Sequence, residues 1–421
     1  MNDRFQFPKG FLWGAATSAH QVEGGNHNDW SEWEKANAGR LAREAGSKFG
    51  YLKSWPDIKT DAETPANYIS GRSVDHYNRF QDDFDIAKSL GHNAHRFSVE
   101  WARIEPEEGK FNEKEIEHYR EVIRSLRARG LEPFVTLWHW TLPLWLRDRG
   151  GVLARDFAEK FERYAERMAG VFKSDVRFWM TLNEPTSVIE NGYHSGQWPP
   201  QVKSLWRVLR AYRALADAHR RAYFALHRVL PDAQVGFGNI LLALEPYGRK
   251  SLLDRVSVWF WDYLSNIRFL KLVGSTNDFY ALQYYFHFRV KFPRRIRNAN
   301  EHISDMGWEL YPEGLYDLIM RFRDYGKPIY ITENGLADSA DRERAWFICE
   351  SLKQVARAVK DGADVRGYFY WSLLDNFEWD KGFWPRFGLV EVNYKTLERK
   401  VRSSALEYKK IIALNSVDLP S

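Results

Sequence analysis

Ile116, Tyr119, Ile123 and Leu126 recur at steps of three and four residues in 114–129, as do Phe157, Phe161, Tyr164 and Met168 in 155–172. That spacing places apolar side chains on one stripe of an α-helix. Similar periodicity predicts helices over 74–90, 205–230, 251–273, 313–323, 344–360 and 404–414. Between them lie short runs rich in Val, Ile, Phe, Tyr, Trp and Thr, at 11–18, 93–101, 132–140, 176–184, 234–240, 278–285, 328–334 and 366–374. Their length and composition predict strands. Gly91, Gly130, Gly326 and Gly362 stand just past four of the helices, where a left-handed residue commonly ends the turn.

Eight strand-like runs, each followed by a helix, predict a parallel sheet closed into a single (β/α)8 TIM barrel. An open doubly wound sheet would want a nucleotide-binding turn after its first strand. None is present, and Gly236-Phe237-Gly238 lacks the third glycine of that motif. No low-complexity tract, Gly/Ser linker or shift in composition divides the chain, so residues 1–421 read as one domain.

Composition narrows the class. With 44% hydrophobic and 28% charged residues, the chain is neither disordered nor collagen-like. A net charge of +5, taken as spread over the surface, argues against a nucleic-acid partner. The single cysteine, Cys349, rules out an intramolecular disulfide and a cysteine-rich zinc site. The first ten residues lack the apolar core of a signal peptide, and the apolar stretch 251–273 is interrupted by Asp254, Arg255, Asp262, Arg268 and Lys271. A cytoplasmic protein without a transmembrane segment is expected. The 18 tryptophans fit either a heavy core or a cleft whose flat walls meet the C–H faces of sugars.

In a barrel the loops after the strands converge on one face, so the strand ends are read together. They supply His20 and Gln21, Arg96 and Glu100, His139, Asn183 and Glu184, Asn239, Tyr284 and Tyr285, Glu333 and Asn334, and Trp371 and Asp375. The set holds no plausible Ser/His/Asp nucleophile and no pair of histidines at metal-ligand spacing, so neither a metal nor a cofactor is expected. Glu184 and Glu333, at the ends of the fourth and seventh strands, face each other across the mouth. Either alone reads equally well as an exposed charge. Together, each beside an asparagine, they match what glycoside hydrolysis needs: one acid to protonate the leaving oxygen, one carboxylate to attack or to activate water.

Four motifs in order carry a resemblance. Thr181-Leu182-Asn183-Glu184-Pro185 and Ile331-Thr332-Glu333-Asn334-Gly335 resemble the acid/base and nucleophile motifs of glycoside hydrolase family 1. Residues 15–24 and 371–379 resemble its sugar-binding motifs. The likeness runs from Phe7 to about Lys400. It implies a retaining exo-β-glycosidase that removes terminal non-reducing sugars from small-molecule or oligosaccharide β-glycosides, a β-glucosidase with β-galactosidase or β-fucosidase as additional activities. It implies Glu333 as nucleophile, its pKa held down by Arg96 and hydrogen-bonded by Tyr285. It implies Glu184 as acid and then base, with a carboxyl gap of about 5–5.5 Å. Asn183 would meet the sugar 2-OH; Gln21, His139, Glu378 and Trp379 the other hydroxyls; and Trp371 would lie under the ring. Trp138-His139-Trp140 also matches a family motif, which favours a ligand-facing His139 over a core histidine.

One departure is Gln283, where the family usually has Asn; its longer side chain is expected to alter the bonds around the carboxylates. The lean region 241–308 leaves the leaving-group preference open. Glu184 argues against a thioglucosidase, and Glu378 against a phosphate pocket. A non-catalytic sugar-binding barrel is the alternative from another class. A further alternative is a membrane-surface glycosidase acting on alkyl or lipid glycosides, because 289–297 mixes cations with apolar residues after the aromatic helix around Trp259-Phe260-Trp261. Pro293 interrupts any amphipathic helix there. The expected form is therefore a solvated basic loop and a helix packed on the barrel. Trp55, Trp206, Trp259, Trp261 and Trp346 are expected to pack inside, whereas Trp30, Trp33, Trp198, Trp308 and Trp384 read equally as core or as entrance.

Overall fold

Every residue of Ala94–Ser98, Phe178–Asn183 and Ile329–Asn334 is buried. A strand with no inside-outside alternation is covered on both faces, as in a parallel sheet wrapped by helices. The computed structural model describes residues 3–298 and 302–419. Its eight parallel strands are β1 (Leu12–Ala16), β2 (Ala94–Ser98), β3 (Glu132–Trp138), β4 (Phe178–Asn183), β5 (Gln234–Pro246), β6 (Tyr280–Lys291), β7 (Ile329–Asn334) and β8 (Val365–Trp371). Each pairs with the next, and β8 pairs with β1, so the sheet closes on itself.

The outer ring is α1 (His76–Ser89), α2 (Glu113–Ala128), α3 (Phe157–Phe172), α4 (Leu205–Val229), α5 (Leu252–Asp262), α6 (Glu313–Arg323), α7 (Arg344–Lys360) and α8 (Ser403–Leu414). After α5 a wide turn, Tyr263–Ile267, leads into a further helical stretch, Arg268–Val273.

Inside the barrel an aromatic layer of Phe134, Phe178, Phe279, Tyr330 and Phe369 packs with Ala94, Met180 and Ala281. Phe134 and Phe178 stack with ring centroids 4.9 Å apart. Side chains on one face of a strand recur every second residue. One step up from Ala94, Phe134 and Ala281 therefore come Arg96, Thr136 and Gln283. A dry aromatic plug thus supports a polar layer, and only the C-terminal end of the barrel is left for a cavity.

Three features depart from the sequence reading. Strands β5 and β6 run well past the barrel rim and stay paired as far as Pro246 and Val290. The expected basic loop is instead a hairpin, because β6 turns at Phe292-Pro293 into an antiparallel strand, Arg294–Arg297. Between β1 and α1 lies a long helix, Asp29–Phe49, started by a reciprocal Asn28/Ser31 cap. Much of its buried stripe is Ala38, Ala42 and Ala45, small residues that leave little apolar periodicity to read.

Two glycines test the packing. A Cβ on Gly335 would lie 1.9 Å from the Trp371 carbonyl oxygen, whereas one on Gly170, within α3, meets nothing within 4 Å. Gly335→Ala should therefore cost about 1–3 kcal/mol or more, because backbone must move. Gly170→Ala should add about 0.5–1 kcal/mol. Urea unfolding of both variants checks the pair, and similar values would contradict this packing.

Candidate active site

Glu184 closes β4 with φ +41°, a left-handed conformation that costs a residue with a Cβ about 1–3 kcal/mol. Its N–H donates to the Gly238 carbonyl at 2.8 Å, and Pro185 follows at the first helical position, where no N–H is needed. The carboxylate turns into the barrel mouth and takes one side-chain hydrogen bond, from Ser187 Oγ at 2.8 Å. Glu333, near the end of β7, is held more fully. Arg96 Nη1 donates to it in a buried ion pair. Gln283 Nε2 donates at 2.8 Å and the Tyr285 hydroxyl at 2.8 Å.

Arg96 is wholly buried. Its second terminal nitrogen donates to Asn183 Oδ1 at 2.6 Å, and Nε donates to Thr136 Oγ1 at 3.2 Å. Gln283 Nε2 also donates to Asn183 Oδ1, at 2.7 Å. Gln283 therefore joins Asn183 and Glu333 through one nitrogen, so the position that departs from the family pattern lies inside the network. Gly238 leaves room for this: a Cβ there would lie 2.7 Å from Gln283 Nε2. Asn334, beside Glu333, has a different task. It donates to the Tyr284 carbonyl at 2.7 Å and accepts from the Tyr368 hydroxyl at 2.8 Å, tying β7 to both neighbouring strands.

The two carboxyls differ electrostatically. Burial, then the charge of Glu333, pushes Glu184 well above the usual carboxyl range. Burial raises Glu333 too, opposed by the charge and hydrogen bonds of Arg96 and by Tyr285. The expectation that Arg96 holds Glu333 below its ordinary value is therefore corrected, since removal from water outweighs the cation. His139 is driven far below its ordinary value by burial and by Arg96, so its ring is neutral. Its Nε2 lies 3.1 Å from Asn183 Nδ2.

A cavity of about 320 Å³ brings together Gln21, His139, Asn183, Glu184, Tyr285, Glu333, Trp371, Glu378 and Trp379. Arg96 lies behind its wall. The ring of His139 stacks between Trp371 and Trp379, 6.0 Å from each. Gln21 Nε2 donates to the Phe377 carbonyl at 2.8 Å and to Glu378 Oε2 at 3.3 Å. Of the tryptophans read as core or entrance, Trp198 and Trp308 line the cavity. Trp30 packs behind Trp379 at 4.6 Å and Trp384 against Phe49 at 5.3 Å. The sequence reading missed Ile240, Phe286, Met306 and Phe387 in the outer wall. Ile240 and Phe286 sit where β5 and β6 overrun the barrel, so strand length was the missing signal. Among the described residues no group of His, Cys, Asp and Glu could hold a metal ion, and no helix is long and apolar enough to cross a membrane.

A (β/α)8 barrel with two unlike buried acids over one aromatic-walled cavity is the architecture of a glycosidase. The chain belongs to glycosyl hydrolase family 1, whose family model matches residues 3–266 and 270–417. It is 33% identical to β-glucosidase A of Acetivibrio thermocellus, over 98% of this chain and 99% of that protein. It is 31% identical to a β-galactosidase of Pyrococcus woesei, over 98% of both. Among solved structures, a β-glycosidase from Pyrococcus horikoshii superposes with a TM-score of 0.87 at 36% identity, over 99% of this chain and 97% of that one.

Burial pushes the Glu378 carboxyl from its ordinary 4.5 up to about 8, with Lys381 opposing and Asp380 and Glu333 adding to the rise. The folded chain thus holds this proton more tightly than the unfolded one. The stabilisation is complete below the unfolded pKa and is lost as pH rises toward the folded one. Glu378→Gln should therefore flatten the decline of stability between about pH 5 and about pH 8. Urea titrations across that window check it, and parallel curves for variant and parent would refute it.

Proposed function

We propose that this family 1 glycosidase is a retaining exo-β-glycosidase, with residues 1–421 forming one catalytic unit that needs neither metal nor cofactor. One observation carries the assignment of roles: two buried carboxyls share a cavity, one ringed by three donors and the other left almost alone. Glu184 is the group that keeps a proton, because burial and the neighbouring negative charge both favour its neutral form. It gives that proton to the glycosidic oxygen. Glu333, stabilised as an anion by Arg96, Gln283 and Tyr285, attacks the anomeric carbon and forms a glycosyl ester.

Forming the ester removes the charge of Glu333, and with it one cause of the high pKa of Glu184. The acid thereby becomes a base able to take a proton from water, whose oxygen then displaces Glu333 with the original configuration restored. Asn183, held by Arg96 and Gln283, is placed for the 2-OH. Gln21, His139, Glu378 and Trp379 hold the remaining hydroxyls, and Trp371 carries the ring face.

The substrates are β-glucosides first, with β-galactosides or β-fucosides as companions; relatives named β-glucosidase and β-galactosidase support the first two. A 6-phosphorylated sugar is disfavoured, because Lys381 on the cavity wall is already bound to Asp380 at 2.6 Å. A cytoplasmic location belongs to the same proposal.

Glu333→Gln should abolish turnover of aryl β-glucosides. Glu184→Ala should slow alkyl glucosides and disaccharides by roughly 10²–10⁴-fold and activated aryl glucosides far less. Equal losses on both classes would overturn the acid role. The pH–rate profile should be bell-shaped, falling on the alkaline side as Glu184 loses its proton. Proton NMR of a running reaction should show the β-anomer of the released sugar first. A first-formed α-anomer would overturn retention, and no turnover of any aryl glycoside would return the chain to a sugar-binding barrel.

A further inference from the structure

The expectation that Trp206 and Trp259 pack inside is overturned, since they are 66% and 68% exposed. Around Trp259 on α5, Leu252, Leu253, Val256 and Phe260 are exposed as well. The helix therefore turns a broad apolar face to water, and patches of that kind mark interaction surfaces.

The face continues onto its neighbours. The Tyr212 hydroxyl of α4 donates to the Leu264 carbonyl at 3.2 Å, and the Arg268 guanidinium lies over the Tyr212 ring at 4.5 Å. Trp206 stands six residues above Tyr212, and Trp259 five above Leu264. At about 1.5 Å per helical residue the two indoles lie at nearly the same height. On the other side Asp254 accepts the Phe292 N–H and the Gly248 N–H, each at 2.9 Å. This pins the hairpin tip, with Phe292 54% exposed, to the first turn of α5. Both helices begin at the end of the barrel that holds the cavity, because each follows a strand.

Charge identifies the occupant. Segments 203–213, 247–262 and 289–297 carry twelve Lys and Arg against two Asp. The chain's net +5 is thus concentrated here, and the remainder is net acidic. The two acids are engaged, Asp254 as described and Asp262 by Arg321, whose Nη2 donates at 2.6 Å. An apolar face with aromatic residues, in segments with this excess of cations, complements a surface that is anionic outside and hydrocarbon beneath. A second copy of this chain would bring the same cations against themselves.

We infer that this face docks on an anionic lipid bilayer, with the cavity end of the barrel turned toward the membrane. The full chain should co-sediment with vesicles containing phosphatidylglycerol, remain in the supernatant with phosphatidylcholine alone, and be released by salt as screening shortens. A Trp206→Ser/Trp259→Ser variant should bind at least about tenfold more weakly with unchanged aryl glucoside turnover and unchanged Tm. Arg249→Glu/Arg255→Glu should lose the preference for the anionic lipid. No co-sedimentation at low salt, or equal binding by both variants, would overturn the proposal. A lipid-free dimer that the tryptophan variant dissociates, without lipid binding by either form, would assign the face to a second copy.

Discussion

One buried guanidinium organises this barrel. Arg96 has no exposure, yet it touches Thr136 on β3, Asn183 on β4 and Glu333 on β7. A buried cation is tolerated only when its donors are met, and here two of the partners that meet them, Asn183 and Glu333, line the cavity. Removing either member of such a pair strands the other, at a cost of about 3–5 kcal/mol. Stability and site geometry therefore rest on the same hydrogen bonds. The aromatic layer beneath favours this, because it packs against the barrel floor below Arg96 and offers no polar side chain there except the Tyr330 hydroxyl.

The placement of Gln283 follows from that layer. Two residues above Ala281 on an inward-facing row, it reaches Asn183 and Glu333 with one nitrogen. Its Oε1 is buried without a protein partner. A single amide thus couples Asn183 to the Glu333 carboxylate.

How far could this be read beforehand? The eight strands were legible because a buried parallel strand leaves a dense β-branched and aromatic run, and Glu184 and Glu333 were legible because strand ends in a barrel converge. The Asp29–Phe49 helix was not, since alanine periodicity carries little contrast. The upward shift of Glu333 was not, because a cation beside a carboxylate names one influence and only burial reveals the larger one. The exposed tryptophans of α4 and α5 were misread for a related reason. An apolar stripe shows that a helix has a face to cover and is silent on what covers it. Nor does a whole-chain charge of +5 disclose that three segments distant in sequence hold far more than that excess.

The two ends of the barrel divide the physical tasks. At the closed end the Phe and Tyr layer packs densely, and Asp3–Gln6 pairs with Ser416–Leu419 so that the two ends of the described chain are tied together. Nothing charged is buried in that layer. At the open end the unfavourable contributions collect: the left-handed backbone of Glu184, three carboxyls raised by burial, and an apolar face turned to water. Each would be relieved by something arriving from outside the chain. On the roles proposed above, a glycosyl ester on Glu333 would abolish one of the charges that raise Glu184, a sugar would supply hydroxyls for Glu378, and a lipid surface would cover α5. The closed end stabilises the fold, and the open end is costly until it is occupied. That imbalance is what would give the protein affinity for its ligands, since binding there removes terms that folding alone leaves unfavourable.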